Sequence, residues 1–251
     1  RRAGARPGLG GRGAVCYQAR PRAPRPPPRS PAILDQLGIA GTAVLIGLLI
    51  VCLSVHEWAH AWSAHKLGDP TAEKLGRLTL NPIAHVDPFM SIVLPAVMVL
   101  TTGMLFGGAK PVPVNPLNFR NMYRDFALVS LAGPLSNLVL AAVFVLAGHA
   151  VAATGQWDGR LLPLILDYGA FFNVLLAVFN LVPIPPLDGS RIATWLLPRH
   201  LRDGYNRFES IGLILILALF SFVPAFGRAI FAMVQAVLGA LERVVSLGGL
   251  W

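Results

Sequence analysis

Charge is what this chain has least of. Asp, Glu, Lys and Arg make up 13% of its 251 residues, against roughly 25% in an ordinary soluble domain. A fully water-facing surface is hard to build from so few. Cysteine is nearly absent, with Cys16 in a polar tail and Cys52 in an apolar run. That excludes a disulfide framework and a cysteine-ligated metal site. Acidic residues are missing altogether from residues 1–31, where eight arginines stand. The net charge of +9 belongs mostly to that segment, because the rest of the chain carries 13 basic and 12 acidic residues. A basic nucleic-acid-binding domain is excluded with it.

What the chain has in excess is apolar sequence, 55% of its residues. It falls in runs at 39–64, 89–106, 126–153, 161–183 and 210–238. A helix crossing a bilayer needs about 20 mostly apolar residues. The run at 89–106 is marginal, and the last is expected to break at Pro224. The expected fold is an all-α polytopic membrane protein, a bundle of about four to six transmembrane or re-entrant helices. Lys110-Pro111-Val112-Pro113-Val114-Asn115-Pro116 can only be extended, because proline fixes φ and removes donors, so a short extended membrane-associated segment joins the bundle. Residues 1–31 are Arg/Pro/Gly-rich and cannot bury enough apolar surface to order themselves. They are expected to be disordered, either a solvated tail or a non-native extension, with one membrane domain over 32–251.

The run at 39–64 leads straight into Ser54-Val55-His56-Glu57-Trp58-Ala59-His60. On a helix, positions i and i+4 share a face, so two imidazoles there suit one tetrahedral zinc, while Glu57 can point at the attacking water. Ionisable groups inside a span are expensive and mark function. Two histidines do not complete a catalytic zinc site, which needs three protein ligands and an open position. His65 faces away on the same helix, His85 lies in a loop and His149 in another run, and Asp167 has no structured context. Asp188 follows Pro183-Ile184-Pro185-Pro186-Leu187 at the end of an apolar run. Proline stops the helix there and leaves a stiff segment that can present a carboxylate. Asp188 is the expected third ligand.

Three motifs in order, His56-Glu57-x-x-His60, Gly133-Pro134-x-x-Asn137 and Asn180-x-x-Pro183-x-Pro185-x-Leu187-Asp188-Gly189, resemble the site-2 protease family of intramembrane zinc metalloproteases, peptidase family M50. The likeness covers roughly residues 37–200 and looks like the compact type without a PDZ or CBS domain. It implies one zinc ion held by His56, His60 and Asp188, with Glu57 as the catalytic base. It implies that Asn180 and Asn137 engage the substrate backbone or the oxyanion, and that Lys110–Pro116 lies near the substrate path. The implied partners are single-span membrane protein substrates and the lipid bilayer, with no nucleic acid.

For the ligands to meet, the spans ending at His60 and Asp188 must run in the same direction. The run at 126–153 is a full crossing, so a second crossing at 89–106 would spoil that direction. Residues 89–106 are therefore expected to enter the membrane without a simple full crossing. Segments 65–88, 107–125 and 188–207 carry 3, 3 and 4 Lys/Arg, and 154–160 carries one, which places the active site near the cytoplasmic side. Two other functions compete: a catalytically inactive membrane-protein-binding homologue, disfavoured by the intact His-Glu-His set, and a metal-ion transporter, which needs a polar path that the runs at 126–153 and 210–238 hardly supply.

Overall fold

Among the residues that the computed structural model describes, which are 33–93, 108–154 and 161–247, the apolar runs are helical and no strand occurs. The expectations for residues 1–31 and for most of 89–106 fall outside those residues. The histidine-bearing run forms α1 (Ile33–Lys66), bent at Gly38, where φ is +67°. Short helices α2 (Thr71–Lys74) and α3 (Pro82–His85) follow, then a π-helical turn at Pro88–Val93. An extended strap from Gly108 reaches a 3-10 turn at Pro116–Asn118. Next come α4 (Met122–Ala153) and α5 (Leu161–Asn180). The chain closes with α6 (Asp188–Leu196), α7 (Arg199–Asn206), α8 (Glu209–Phe222) and α9 (Pro224–Leu247).

Four of these helices are long and apolar enough to cross a membrane: Gly38–Lys66, Met122–Ala153, Leu161–Asn180 and Pro224–Ser246. The pair α7 and α8, bent by 69° at its break, is a fifth candidate. This is a multi-pass membrane protein built for a lipid bilayer. The run at 210–238 breaks at Pro224, as its sequence leads one to expect. Pro224 has no N–H to continue α8, so α9 starts afresh there and extends to Leu247.

Depth follows from helix rise. Gly38–Lys66 has 29 residues, about 43 Å at 1.5 Å each, which exceeds a hydrocarbon core of roughly 30 Å. His60 lies about 9 Å from the C-terminal end of α1, and Val129 about 10 Å from the N-terminal end of α4. The two touch, so α1 and α4 are antiparallel, and α5, antiparallel to α4, runs with α1. The segment between α1 and α4 therefore begins and ends at one end of the bundle. Ser91 and Gly108 meet there too, the serine hydroxyl donating to the Gly108 carbonyl at 2.7 Å.

The seams are small and tightly filled, as helix association in lipid requires. Leu45, Leu49, Cys52 and Leu53 of α1 close on Phe172 of α5. Ala141 of α4, Val174 of α5 and Val234 of α9 form a second seam. At the other end Ala64, Phe119 and Val129 pack with Val114 of the strap, so the strap roofs the end of the bundle where the histidines lie.

Candidate metal centre

His56 and His60 stand one turn apart on α1, both buried. Asp188 opens α6, whose first turn favours an acidic residue through the helix dipole. It gets there because the preceding residues cannot continue α5: Pro183, Pro185 and Pro186 lack N–H donors, and Leu187 is extended. The return of this loop is closely clamped. A Cβ on Gly212 of α8 would overlap the Pro185 carbonyl oxygen, so only glycine lets α8 lie against the loop.

Three acceptor atoms converge. His56 Nε2 and His60 Nε2 are 3.0 Å apart, and Asp188 Oδ2 lies 3.2 Å from the first and 3.3 Å from the second. A tetrahedral zinc with bonds near 2.0–2.1 Å needs ligand atoms about 3.3–3.4 Å apart. The triangle matches one face of such a tetrahedron to within a few tenths of an ångström.

The surrounding hydrogen bonds fix which nitrogen is free. His60 Nδ1–H donates to the Val129 carbonyl at 2.8 Å, and a carbonyl can only accept. His56 Nδ1 is 2.6 Å from Asn137 Oδ1. Asn137 Nδ2 donates to Asn173 Oδ1 at 2.7 Å, and Asn173 Nδ2 donates to the Gly169 carbonyl at 2.8 Å and to Cys52 Sγ at 3.0 Å. The Gly169 carbonyl anchors the direction of the whole chain, so Asn137 Oδ1 accepts and His56 Nδ1–H donates. Both Nε2 atoms then present lone pairs, and they face a carboxylate oxygen that is buried with no hydrogen-bond partner. A cation is what this donor set lacks. Among the described residues, His56, His60 and Asp188 form the one His/Cys/Asp/Glu group placed to hold a metal ion.

Gly133 makes room for the pair. A Cβ there would lie 2.5 Å from His60 Cε1 and Nε2 and 2.6 Å from His56 Cε1. Pro134, the next residue, has no N–H for the Ser130 carbonyl and loosens that turn of α4, beside the carbonyl that accepts from His60.

Glu57 is half-buried, and its Oε2 accepts from the Val112 N–H of the strap at 2.9 Å. Asn180 ends α5, and its Nδ2 donates to the Leu176 carbonyl at 3.0 Å. Asn137 differs from its expected substrate-facing place. It is fully buried, and both its polar atoms are committed, to His56 and to Asn173. Three other histidines stay apart: His65 pairs with Glu73 at 3.1 Å, His85 bonds the Thr79 carbonyl, and His149 bonds Val145 of its own helix.

Asn173, the link between Asn137 and α5, is not among the residues expected from the motifs. Its signal was present, a polar amide in an otherwise apolar span. Asp69 is another such residue, and no periodicity marks it. Asp69 is fully buried, and burial alone would raise its pKa. Hydrogen bonds from Thr71, Asn118 and the Asn115 N–H outweigh burial and hold the carboxyl below its ordinary value.

The comparisons with known proteins agree with this chemistry. The family model described as Peptidase family M50 matches residues 150–223, a stretch that contains Asp188. A Bacillus subtilis protein named "Putative zinc metalloprotease YwhC" is 43% identical over 182 residues, covering 70% of this chain and 79% of that protein. "Putative zinc metalloprotease Rip2" of Mycolicibacterium smegmatis is 31% identical over 223 residues, 86% of this chain and 81% of its own. The protein of the same name from Mycobacterium tuberculosis strain H37Rv is 33% identical over 199 residues, 74% of this chain and 70% of its own. No solved structure matches the chain. The likeness to these relatives runs through most of both partners, and the zinc chemistry in their names is the one the convergent donors fit: the chain is a multi-pass membrane zinc metalloprotease belonging to peptidase family M50, the site-2 protease family.

Proposed function

We propose that His56, His60 and Asp188 hold the zinc, and that the protein hydrolyses peptide bonds of membrane-anchored substrates within or near the bilayer. The observation that carries this reading is the triangle of three unprotonated ligand atoms, 3.0–3.3 Å on a side, at one end of a membrane-spanning bundle. When bound, zinc supplies Lewis acidity toward the scissile carbonyl and toward water. Glu57, one residue from His56, takes the proton of the attacking water and passes it to the leaving amine. Asn180 is the amide left to meet substrate backbone, while Asn137 acts through His56. The substrate must be locally unwound, because a helix hides its carbonyls in its own hydrogen bonds. Single-span proteins are the substrates that can present such a segment beside the strap at 108–116.

The site end of the bundle lies on the cytoplasmic side in this reading. Segments 65–88, 107–125 and 188–207, which carry 3, 3 and 4 Lys/Arg, adjoin that end, and the connection that follows the far end of α4, 154–160, carries one. The reading is tested by comparing the membrane proteome of a strain carrying Glu57→Gln with its parent. Single-span proteins or their remnants should accumulate in the variant strain. Identical membrane proteomes would reject proteolysis as the activity.

A further inference from the structure

We propose that the strap at 108–116 is a positioning device for Glu57, acting through the peptide N–H of Val112. This rests on the reading of Glu57 as the base. A half-buried carboxylate in a membrane-spanning helix needs a donor, and among the described residues the one hydrogen bond to Glu57 comes from Val112, at 2.9 Å. Backbone donors are scarce here by sequence: Pro111, Pro113 and Pro116 have none. Of the four that remain in 110–116, Lys110 N–H donates to the His85 carbonyl and Asn115 N–H to Asp69 Oδ2. Val112 N–H is thus the donor that two fixed-φ neighbours aim at Glu57 and nothing else.

Two buried charges clamp the strap on either side of Val112. Arg77, 8% exposed, donates through Nη2 to the Lys110 carbonyl at 2.6 Å. Asp69, fully buried, takes the Asn115 N–H at 2.7 Å and the Asn118 amide at 2.6 Å. Burying a charge is expensive; here Arg77 Nη2 holds a strap carbonyl and Asp69 Oδ2 a strap N–H. The outcome is a backbone dipole that stands still beside the carboxylate, so Glu57 keeps one orientation and one distance from His56.

The test removes the donor alone. Val112→Pro deletes the N–H, continues the run of prolines and leaves zinc stoichiometry as the check on folding; Val112→Ala keeps the N–H. With a co-reconstituted single-span substrate, Val112→Pro should lower kcat about 10–100-fold with KM within about threefold of wild type, and Val112→Ala should stay within about twofold. A rise in KM with kcat unchanged, or equal loss in both variants, would overturn the inference. A second readout needs no proteolysis. In hydrogen–deuterium exchange of the peptide spanning 108–118, Glu57→Ala should make one amide exchange about tenfold faster, while Glu57→Gln, which keeps an acceptor oxygen, should not. Unchanged exchange in Glu57→Ala would sink the inference and leave the protease reading standing. A wild-type protein that cuts nothing would do the reverse.

Discussion

His56 and Asn137 are joined by a hydrogen bond of 2.6 Å across α1 and α4, and its direction is set by a backbone carbonyl two links further on. The Gly169 carbonyl orients Asn173, Asn173 orients Asn137, and Asn137 holds the His56 proton on Nδ1. Asn173 touches no ligand atom, yet it decides which nitrogen is free. Asn173→Leu should therefore weaken zinc binding about 10–100-fold, the usual effect of losing a partner behind a ligand, while the helical circular dichroism is kept. Competition with a zinc chelator measures it.

Gly133 tests the packing beneath the imidazoles. Gly133→Ala puts a methyl 2.5 Å from His60 Nε2, so the ring must leave the triangle. Zinc content should fall well below one per chain. Gly148→Ala, on the same helix with nothing within 4 Å of its added Cβ, should keep full zinc content and gain about 0.5–1 kcal/mol of helix stability.

The loop that delivers Asp188 depends on α8 lying against it. Gly212→Ala would drive a Cβ into the Pro185 carbonyl oxygen. Backbone cannot yield as a flexible side chain can, so α8 should move away and carry the loop with it. We expect loss of zinc and of activity, with α1 and α4 intact. Limited proteolysis between 181 and 209 should become faster in this variant.

Asp69 makes stability depend on pH in a defined direction. Its folded pKa lies below the ordinary value of 3.8: burial pushes it up, and the bonds from Thr71, Asn118 and Asn115 more than offset that. The folded state therefore releases this proton more readily than the unfolded chain. The stabilisation is fully present above the unfolded value and is lost as pH falls through the folded one. In a Cys16→Ser background, thermal exposure of buried Cys52 to a thiol-reactive dye reports unfolding. Asp69→Asn should lower the melting temperature near neutral pH, and the gap to wild type should shrink on acidification.

The membrane bundle and the candidate His56–His60–Asp188 group could be read from sequence because each had a local cause. Apolar runs of bilayer length define the spans, the i, i+4 spacing defines His56 and His60, and the prolines before Asp188 mark a segment that cannot be helix. The supporting shell had no such mark. Asn137 was noticed as part of a motif, but its partners sit 81 residues before it and 36 after it in sequence, and only packing brings them together. Asp69 and Val112 lie in segments whose pattern says turn and extended. Nothing in that pattern says that the first holds Asn115 of the same strap whose Val112 N–H meets Glu57. The break in the last apolar run was legible too, because Pro224 has no N–H with which to continue the helix before it. What hydropathy did not show is how far the helix that begins at Pro224 extends, to Leu247.

The most direct test of the account is cleavage of a single-span protein co-reconstituted with this chain in proteoliposomes, wild type against Glu57→Gln, with zinc measured in the same samples. Both proteins should hold about one zinc per chain, and cleavage should fall by roughly 10²–10⁴-fold in the variant, the range lost with a general base. Equal cleavage by the two proteins at equal zinc content would contradict the assignment of the chemistry to this site.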